Sequence, residues 1–584
     1  MIRPMENNEL LANQRHTLAH LLAAAVLELY PDTKNTIGPA IDNGFYYDFE
    51  FSSPLSENDL AKIETKMREL LPTWGAFSHT EVSAAEAKTK YTNNSYKLEL
   101  IEEIEQKGET ITLYTAGEFT DLCRGGHVEH PATDIDPASF KLDRLAGAYW
   151  RGDSDKKMLT RIYGLAFENQ VELDDYLVMR EEAEKRDHKK LGPQLKLFTT
   201  SPLVGAGLPL IMPRGMIIRK AIEDYLWELH QGLGYDRVWT PHIAKVALYE
   251  TSGHAQKFGD ELFRVQGKEE EFIMKPMNCP HHMQIFADNQ FSYRDMPVRY
   301  FEPATIYRDE KSGQLGGLTR VRAITQDDGH LFCRESQIEE EVSTIVGIIR
   351  KFYTTIGLMD AYWVSLSVRG EDKSKYLGED SVWETAESAL TKAAEKNELN
   401  YRRVEGEAAF YGPKLDFMFK DVLGREWQLA TIQCDFNLPE RFDLSFINEQ
   451  GAKERPVVIH RAISGSLERF MGILIEHFAG AFPTWLSPVQ VAILPVAEVH
   501  ESFAREIQEK LKVAGLRVEF LESSDSLGKR IRTVKTSKAP YFIVIGDKEK
   551  DSGNLTIENR TGDKEELSTE KFIEKIQTEI KNRA

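Results

Sequence analysis

Two pairs of residues spaced four apart carry side chains that could do chemistry. His16 and His20 fall in a stretch of helical character, so their rings share a face, and Cys123-Arg-Gly-Gly-His127 repeats the spacing with a thiol and an imidazole. Two histidines with a cysteine and a further histidine form a donor set suited to tetrahedral zinc. A second cluster is cationic. Arg308 and Glu310 end an extended run, the turn-rich Ser312-Gly-Gln-Leu-Gly-Gly317 follows, and Arg320 and Arg322 open the next run. Such a hairpin presents planar guanidinium groups to phosphate, where bidentate contacts are strongest; the plainer reading is a salt-bridged strand pair. Neither a Walker loop nor a Gly-x-Gly-x-x-Gly after a strand is present, so a nucleotide would have to be held by arginine on a sheet.

The elements that must position these groups belong to a large chain. With 584 residues, 41% of them hydrophobic, it can bury several cores and is expected to form three or four domains. A formal charge of -20 argues against indiscriminate nucleic-acid binding but leaves room for RNA on local basic patches. Cys123, Cys279, Cys333 and Cys434 are too far apart for a disulfide framework or a Cys-x-x-Cys ribbon, so a metal role must join single cysteines to distant histidines. The apolar stretch Leu18 to Leu29 is interrupted by His20 and Glu28, which fits neither a signal peptide nor a membrane span, and a cytoplasmic location is expected.

Residues 1–170 mix short apolar helices with strand-like runs such as 44–51 and read as one α+β domain. A charged stretch from Glu168 to Lys190 predicts a connecting helix over 171–198, with Gly192-Pro193 as a stop signal. Residues 199–485 hold long extended runs (298–308, 320–326, 426–436 and 457–461), which predict a large, mainly antiparallel sheet. Residues 486–584 alternate strand and helix, so their sheet should be partly parallel.

The ordered segments Gly234-Tyr-Asp-Arg-Val-Trp-Thr-Pro241, Tyr307-Arg308-Asp-Glu310 with its turn, and Gly465-Ser466-Leu-Glu-Arg469 resemble the three motifs of class II aminoacyl-tRNA synthetases. Lys275-Pro-Met-Asn-Cys-Pro280, Thr325-Gln-Asp-Asp328, Phe410-Tyr-Gly-Pro-Lys414 and Ile459-His-Arg-Ala-Ile463 are similar to the threonine-specific members, and the likeness runs from about residue 15 to the C-terminus. It implies a multidomain α+β protein: an N-terminal α+β editing domain, an antiparallel-sheet catalytic core and a C-terminal α/β anticodon-binding domain. It also implies the activity: threonine, ATP and tRNA(Thr) as partners, hydrolysis of mischarged Ser-tRNA(Thr), magnesium with ATP, one zinc ion per subunit and a homodimer.

Residue by residue, the resemblance makes Cys279, His330 and His460 zinc ligands. Asp328 would accept the substrate hydroxyl, Gln326 would help hold the amino acid, Arg308 would meet the α-phosphate, and Glu310, Arg320 and Arg469 would hold the rest of the nucleotide. Tyr411, Lys414, Gln428 and Gln433 would lie near the substrate, and His254 near the terminal ribose of tRNA, where it could assist proton removal. In the editing domain His16, His20, Cys123 and His127 would position water and substrate without a required metal, with Lys97 and Asp121 relaying protons and holding the amino group. A zinc site there is the alternative.

Physical reasoning asks for that second site. A metal that ligates a hydroxyl rejects valine, but serine keeps both ligating groups and lacks only a methyl, worth roughly 1 to 3 kcal/mol. The sequence departs from the family where Gly126 replaces a common proline and His281 a common glycine. His16 also comes too early for the ubiquitin-like domain that usually precedes the editing domain. Lys529, Arg530, Arg532, Lys535 and Lys538 form a basic run suited to RNA or to a solvated helix face. The rival readings are a non-catalytic RNA-binding or regulatory paralogue and a free-standing hydrolase of mischarged tRNA.

Overall fold

The computed structural model describes residues 5–584. The chain forms two compact units, one ending at Glu181 and the other beginning at Glu182. In the first, helix Met5–Leu29 buries Leu18, Leu21, Leu22, Ala25 and Val26 against strand Gly44–Glu50 and helix Asn58–Leu70. Strand Gly44–Glu50 runs antiparallel to Met158–Ala166, which pairs in turn with Phe140–Tyr149. A separate three-stranded antiparallel sheet, Ser78–Val82, Ile111–Ala116 and Phe119–Leu122, is backed by helices Ala84–Lys90 and Ser95–Gln106.

The charged stretch after Glu168 forms two helices, Gln170–Arg186 and His188–Gln194. Asp187 separates them, and its carboxylate accepts the Lys189 N–H as an N-cap. Gly192 and Pro193 lie inside the second helix, not after it.

The second unit is built on an eight-stranded sheet ordered Tyr235–Arg237, Val298–Tyr307, Ala323–Cys333, Val457–Ala462, Glu426–Asp435, Lys414–Lys420, Tyr362–Val368 and Tyr401–Glu405. All its pairings are antiparallel except those at the two edges, as the long extended runs predict. Arg320 and Arg322 precede strand Ala323–Cys333 instead of starting it. Helices Pro213–Gln231, Ile338–Ile356 and Leu467–His477 bury the back of the sheet in one large core. Near the C-terminus the strands Val518–Phe520, Val491–Pro495 and Tyr541–Ile545 run parallel, and Asn554–Asn559 and Lys564–Ser568 add antiparallel partners. On helix Leu527–Ser537, Arg530 is buried and donates to the carbonyls of Pro495, Leu521 and Asp525, so it braces the fold and is lost from the expected basic surface. Lys529, Arg532 and Lys535 remain exposed.

Candidate active sites

Strand Ala323–Cys333 carries the centre of the larger site. Gln326, Asp328 and His330 are two apart and share one face, while Asp327 faces the other way. The two aspartates have opposite fates. Asp327 accepts N–H groups from Ile463, Ser464 and Gly465 at 2.8 to 3.0 Å, and burial raises its carboxyl to about 6 against the pull of Arg461. Asp328 is buried, which raises its carboxyl too, and its Oδ2 has no hydrogen bond, with His330 Nδ1 3.7 Å away. A buried carboxylate oxygen without a partner is costly unless something else is meant to meet it.

Antiparallel register sets His330 directly opposite His460, and Cys279 joins them from the first turn of helix Cys279–Ala287. One donor atom from each of the three lies within 4.8 Å of the others, and all three residues are buried. Each histidine has one ring nitrogen committed outward. His460 Nε2 is 2.8 Å from Asp435 Oδ2, and His330 Nδ1 is 2.8 Å from His282 Nδ1, whose Nε2 meets Glu302 at 3.1 Å. Outer partners of this kind fix the tautomer that leaves the inner nitrogen free to ligate. Burial and the neighbouring imidazoles push His330 well below its ordinary value, so it is a neutral donor. The residues fit a zinc ion: one thiol, two imidazoles and an unpaired carboxylate beside them.

His281 takes no part in this cluster. Its ring sits edge-on to Tyr249 at 6.1 Å with both nitrogens unpartnered. The residue able to compete as a ligand is His282, which with Asp328 and His330 makes a second set of close donors. Sequence reasoning missed His282, Glu302 and Asp435, although the Cys-Pro-His-His run could have drawn attention to the first.

His254 opens a short helix after Gly253, whose φ of 82° suits glycine. Its Nδ1 is 2.8 Å from Ser252 Oγ and its Nε2 3.4 Å from Cys279 Sγ, and burial, with His460 and Arg308, lowers it to about 3. Tyr411 stacks on the His460 ring at 4.8 Å and donates to Gln433 Oε1. Lys414 pairs across the ladder with Gln433 and holds Asp416 at 2.6 Å. Gln428 lies exposed toward the other end of that strand, before Leu429, whose carbonyl closely approaches Gly465.

Three guanidinium groups gather beside this cluster. Arg308 lies over the Phe258 ring at 4.7 Å and donates to Met277 Sδ, leaving its Nε buried without a partner. Arg320 is held by Glu310 at 2.7 Å, and Arg469 donates from Nε to the Thr319 carbonyl at 2.9 Å. Burial lowers Arg308 and Arg469 from the usual arginine value, with neighbouring guanidinium groups adding to it. Arginine stays charged under such shifts; Arg320 is ion-paired with Glu310, whereas Arg308 and Arg469 have Glu261 and Glu310 nearby without a direct ion pair.

The first unit brings the two i, i+4 pairs together. His16, His20, Cys123 and His127 each place a donor atom within 4.8 Å of the rest. Cys123 Sγ is 3.3 Å from His127 Nε2 and 3.7 Å from His16 Nε2, while His20 Nδ1 is buried and unpartnered. Burial lowers all three imidazoles, His127 to about 2, and raises the Cys123 thiol. Gly126 has φ of 82°, beyond the reach of proline, and its carbonyl lies 3.2 Å from His16 Nδ1. Lys97 is 2% exposed and meets Asp121, 1% exposed, at 2.6 Å. Tyr47 donates to Asp121 at 2.5 Å and takes a contact from Lys97 at 3.3 Å, a role no spacing announced. A cavity of about 360 Å³ is lined by His16, His20, Lys97, Asp121 and Cys123.

An antiparallel sheet bearing arginines on a hairpin, with no glycine-rich phosphate loop, is the architecture of a class II aminoacyl-tRNA synthetase. The class II core domain family (G, H, P, S and T) matches residues 263–478, and the anticodon-binding domain family 490–579. The threonyl and alanyl tRNA synthetase second additional domain matches residues 111–163. Threonine–tRNA ligases of Rubrobacter xylanophilus and Gloeobacter violaceus are each 47% identical, covering 97% of this chain and 88% and 92% of their own lengths. The chain belongs to the threonine–tRNA ligase family. Among solved structures, the RNA binding domain of threonyl-tRNA synthetase from Cryptosporidium parvum aligns with TM-score 0.64 at 35% identity, over 67% of this chain and 98% of that one. A putative threonyl-tRNA synthetase from Aeropyrum pernix gives 0.59 at 30%, over 68% and 96%. A Giardia lamblia prolyl-tRNA synthetase, at 17% and 0.52 over 70% and 81%, shares the fold.

Proposed function

We propose that the chain joins threonine to ATP as threonyl-adenylate, passes it to the 3′ end of tRNA(Thr), and hydrolyses Ser-tRNA(Thr) in its first unit. The observation that carries the reading is the presence, in one site, of buried Arg308 Nε and Asp328 Oδ2 atoms that have no hydrogen-bond partner.

Arg308 stabilises the charge that develops at the α-phosphate and the attacking carboxylate, while Arg320 and Arg469 hold the remaining phosphates with magnesium. Asp328 accepts the threonine hydroxyl, and Gln326, Tyr411, Lys414, Gln428 and Gln433 frame the amino acid and nucleotide. Zinc held by Cys279, His330 and His460 would supply a Lewis-acidic position for the amino and hydroxyl groups of the substrate. A neutral His254 at the edge of this cluster can take a proton from the ribose hydroxyl during acyl transfer.

In the first unit, neutral imidazoles around Cys123 can hold and orient water, and the Lys97–Asp121 pair lies in the same cavity wall. We further propose a homodimer formed through the segment around Pro241, where Trp239 is 74% exposed. No helix among the described residues is long and apolar enough to cross a membrane, and a tRNA-charging role fits the cytoplasm.

The test is ATP–pyrophosphate exchange on protein of measured zinc content. Exchange with threonine, less with serine and none with valine is expected. Absence of exchange despite bound zinc would overturn the reading.

A further inference from the structure

We propose that His188 is a positioning residue for the nucleotide, holding the base of the hairpin that carries Arg320 and offers the Thr319 carbonyl to Arg469 on helix Leu467–His477. The inference rests on the reading of Arg308, Arg320 and Arg469 as ATP ligands.

The Leu318 N–H points at His188 Nε2 at 3.0 Å. A backbone N–H only donates, so Nε2 carries no proton and Nδ1–H is the donor to Glu476 Oε1 at 2.6 Å. Glu476 Oε1 also accepts the His188 backbone N–H at 3.2 Å, and Arg425 engages its second oxygen. Burial pushes the Glu476 carboxyl up, but the bonds from His188 and Arg425 outweigh it and hold the group down to about 2. A charged carboxylate therefore fixes the histidine tautomer.

The three residues after Gly317 are each pinned in a different way. Leu318 is bound through its N–H by His188, Thr319 through its carbonyl by Arg469 at 2.9 Å, and Arg320 through its side chain by Glu310. Displacing Leu318 therefore shifts the carbonyl that orients Arg469 and the stem of Arg320 together. His188 and Leu318 are buried, so water cannot replace the lost acceptor. The approach is tight: Gly317 has φ of 57°, and a Cβ there would lie 2.3 Å from His188 Nε2. Gly472, on helix Leu467–His477, leaves room for both, since a Cβ on it would stand 3.3 Å from Leu318 Cβ. His188 also begins the helix that follows the capping residue Asp187, so its backbone is fixed along with its ring.

The experiment measures pyrophosphate exchange for His188→Asn and His188→Gln with ATP and threonine varied separately. Asparagine reaches the Nδ1 position only, whereas glutamine can place an acceptor where Nε2 stands. We expect His188→Asn to raise KM for ATP about tenfold, with KM for threonine and the melting temperature little changed, and His188→Gln to recover most of the loss. Unchanged KM for ATP in His188→Asn, or equal losses for ATP and threonine in both variants, overturns the assignment. Arg320→Ala in the same assay separates the two claims. If it raises KM for ATP and His188→Asn does not, only the His188 role fails; if it does not, the nucleotide site itself is misread. Should His188→Asn not fold, Gly317→Ala attacks the same contact from the loop and must weaken ATP in the same selective way.

Discussion

Both units draw a cysteine and histidines from separate segments into one cluster, yet they prepare them differently. In the second unit the donors are wholly buried, each histidine is tied outward to a carboxylate or to a histidine that leads to one, and Arg308 lies beside them with its buried Nε unpartnered. In the first, the imidazoles lean on one another (His16 and His127 stack at 4.4 Å), three of the four residues are half-buried, and the nearby charges close on themselves as Lys97 with Asp121. The contrast matches what the proposed substrates would require. An adenylating site must attract a polyanion and hold a small polar amino acid, so it needs unspent charge and fixed donors. A hydrolytic site for an ester needs neutral bases and access for water, so spare charge would be a liability.

The separation of these two designs can be broken from either side. Lys97→Met strands Asp121 in the interior and should destabilise the first unit by about 3–5 kcal/mol, read as an early calorimetric transition, while threonine activation persists. Loss of both together would mean the units do not act separately. Arg308→Ala should cut pyrophosphate exchange about 10³-fold and leave Ser-tRNA(Thr) hydrolysis intact. A small effect would remove it from the reacting phosphate. His20→Ala should slow that hydrolysis about 10²-fold, with unchanged exchange and accumulation of Ser-tRNA(Thr) in a charging assay.

The smallest effect concerns pH. Because burial lowers His16, and takes His20 and His127 well below the usual 6.5, the latter two imidazoles stay neutral through the physiological range. Hydrolysis should therefore show no histidine inflection between about pH 6 and 8. A rate rising through an apparent pKa near 6.5 would mean that the cluster is wetter than its packing suggests.

Much of both sites is legible in the amino-acid sequence, for reasons that can be named. Four-residue spacing is local, so the pairs His16/His20 and Cys123/His127 declare shared faces from sequence alone, whereas the shared face of Gln326, Asp328 and His330 emerges with strand Ala323–Cys333, which runs past the expected end at residue 326. The joining of Cys279 to His330 and His460 is reached only through family likeness, since ligands this far apart leave no local signature. The sheet order, the opposition of His330 to His460 and the hold of His188 on Leu318 are products of register and long-range packing. Burial decides the rest. Arg530 reads as part of a basic surface, and only the core shows that it braces four carbonyls and that Lys97 closes a buried salt bridge with Asp121. Periodicity reports which way a side chain points on its own element; what waits on the other side is set by elements far away in the chain, brought there by tertiary packing.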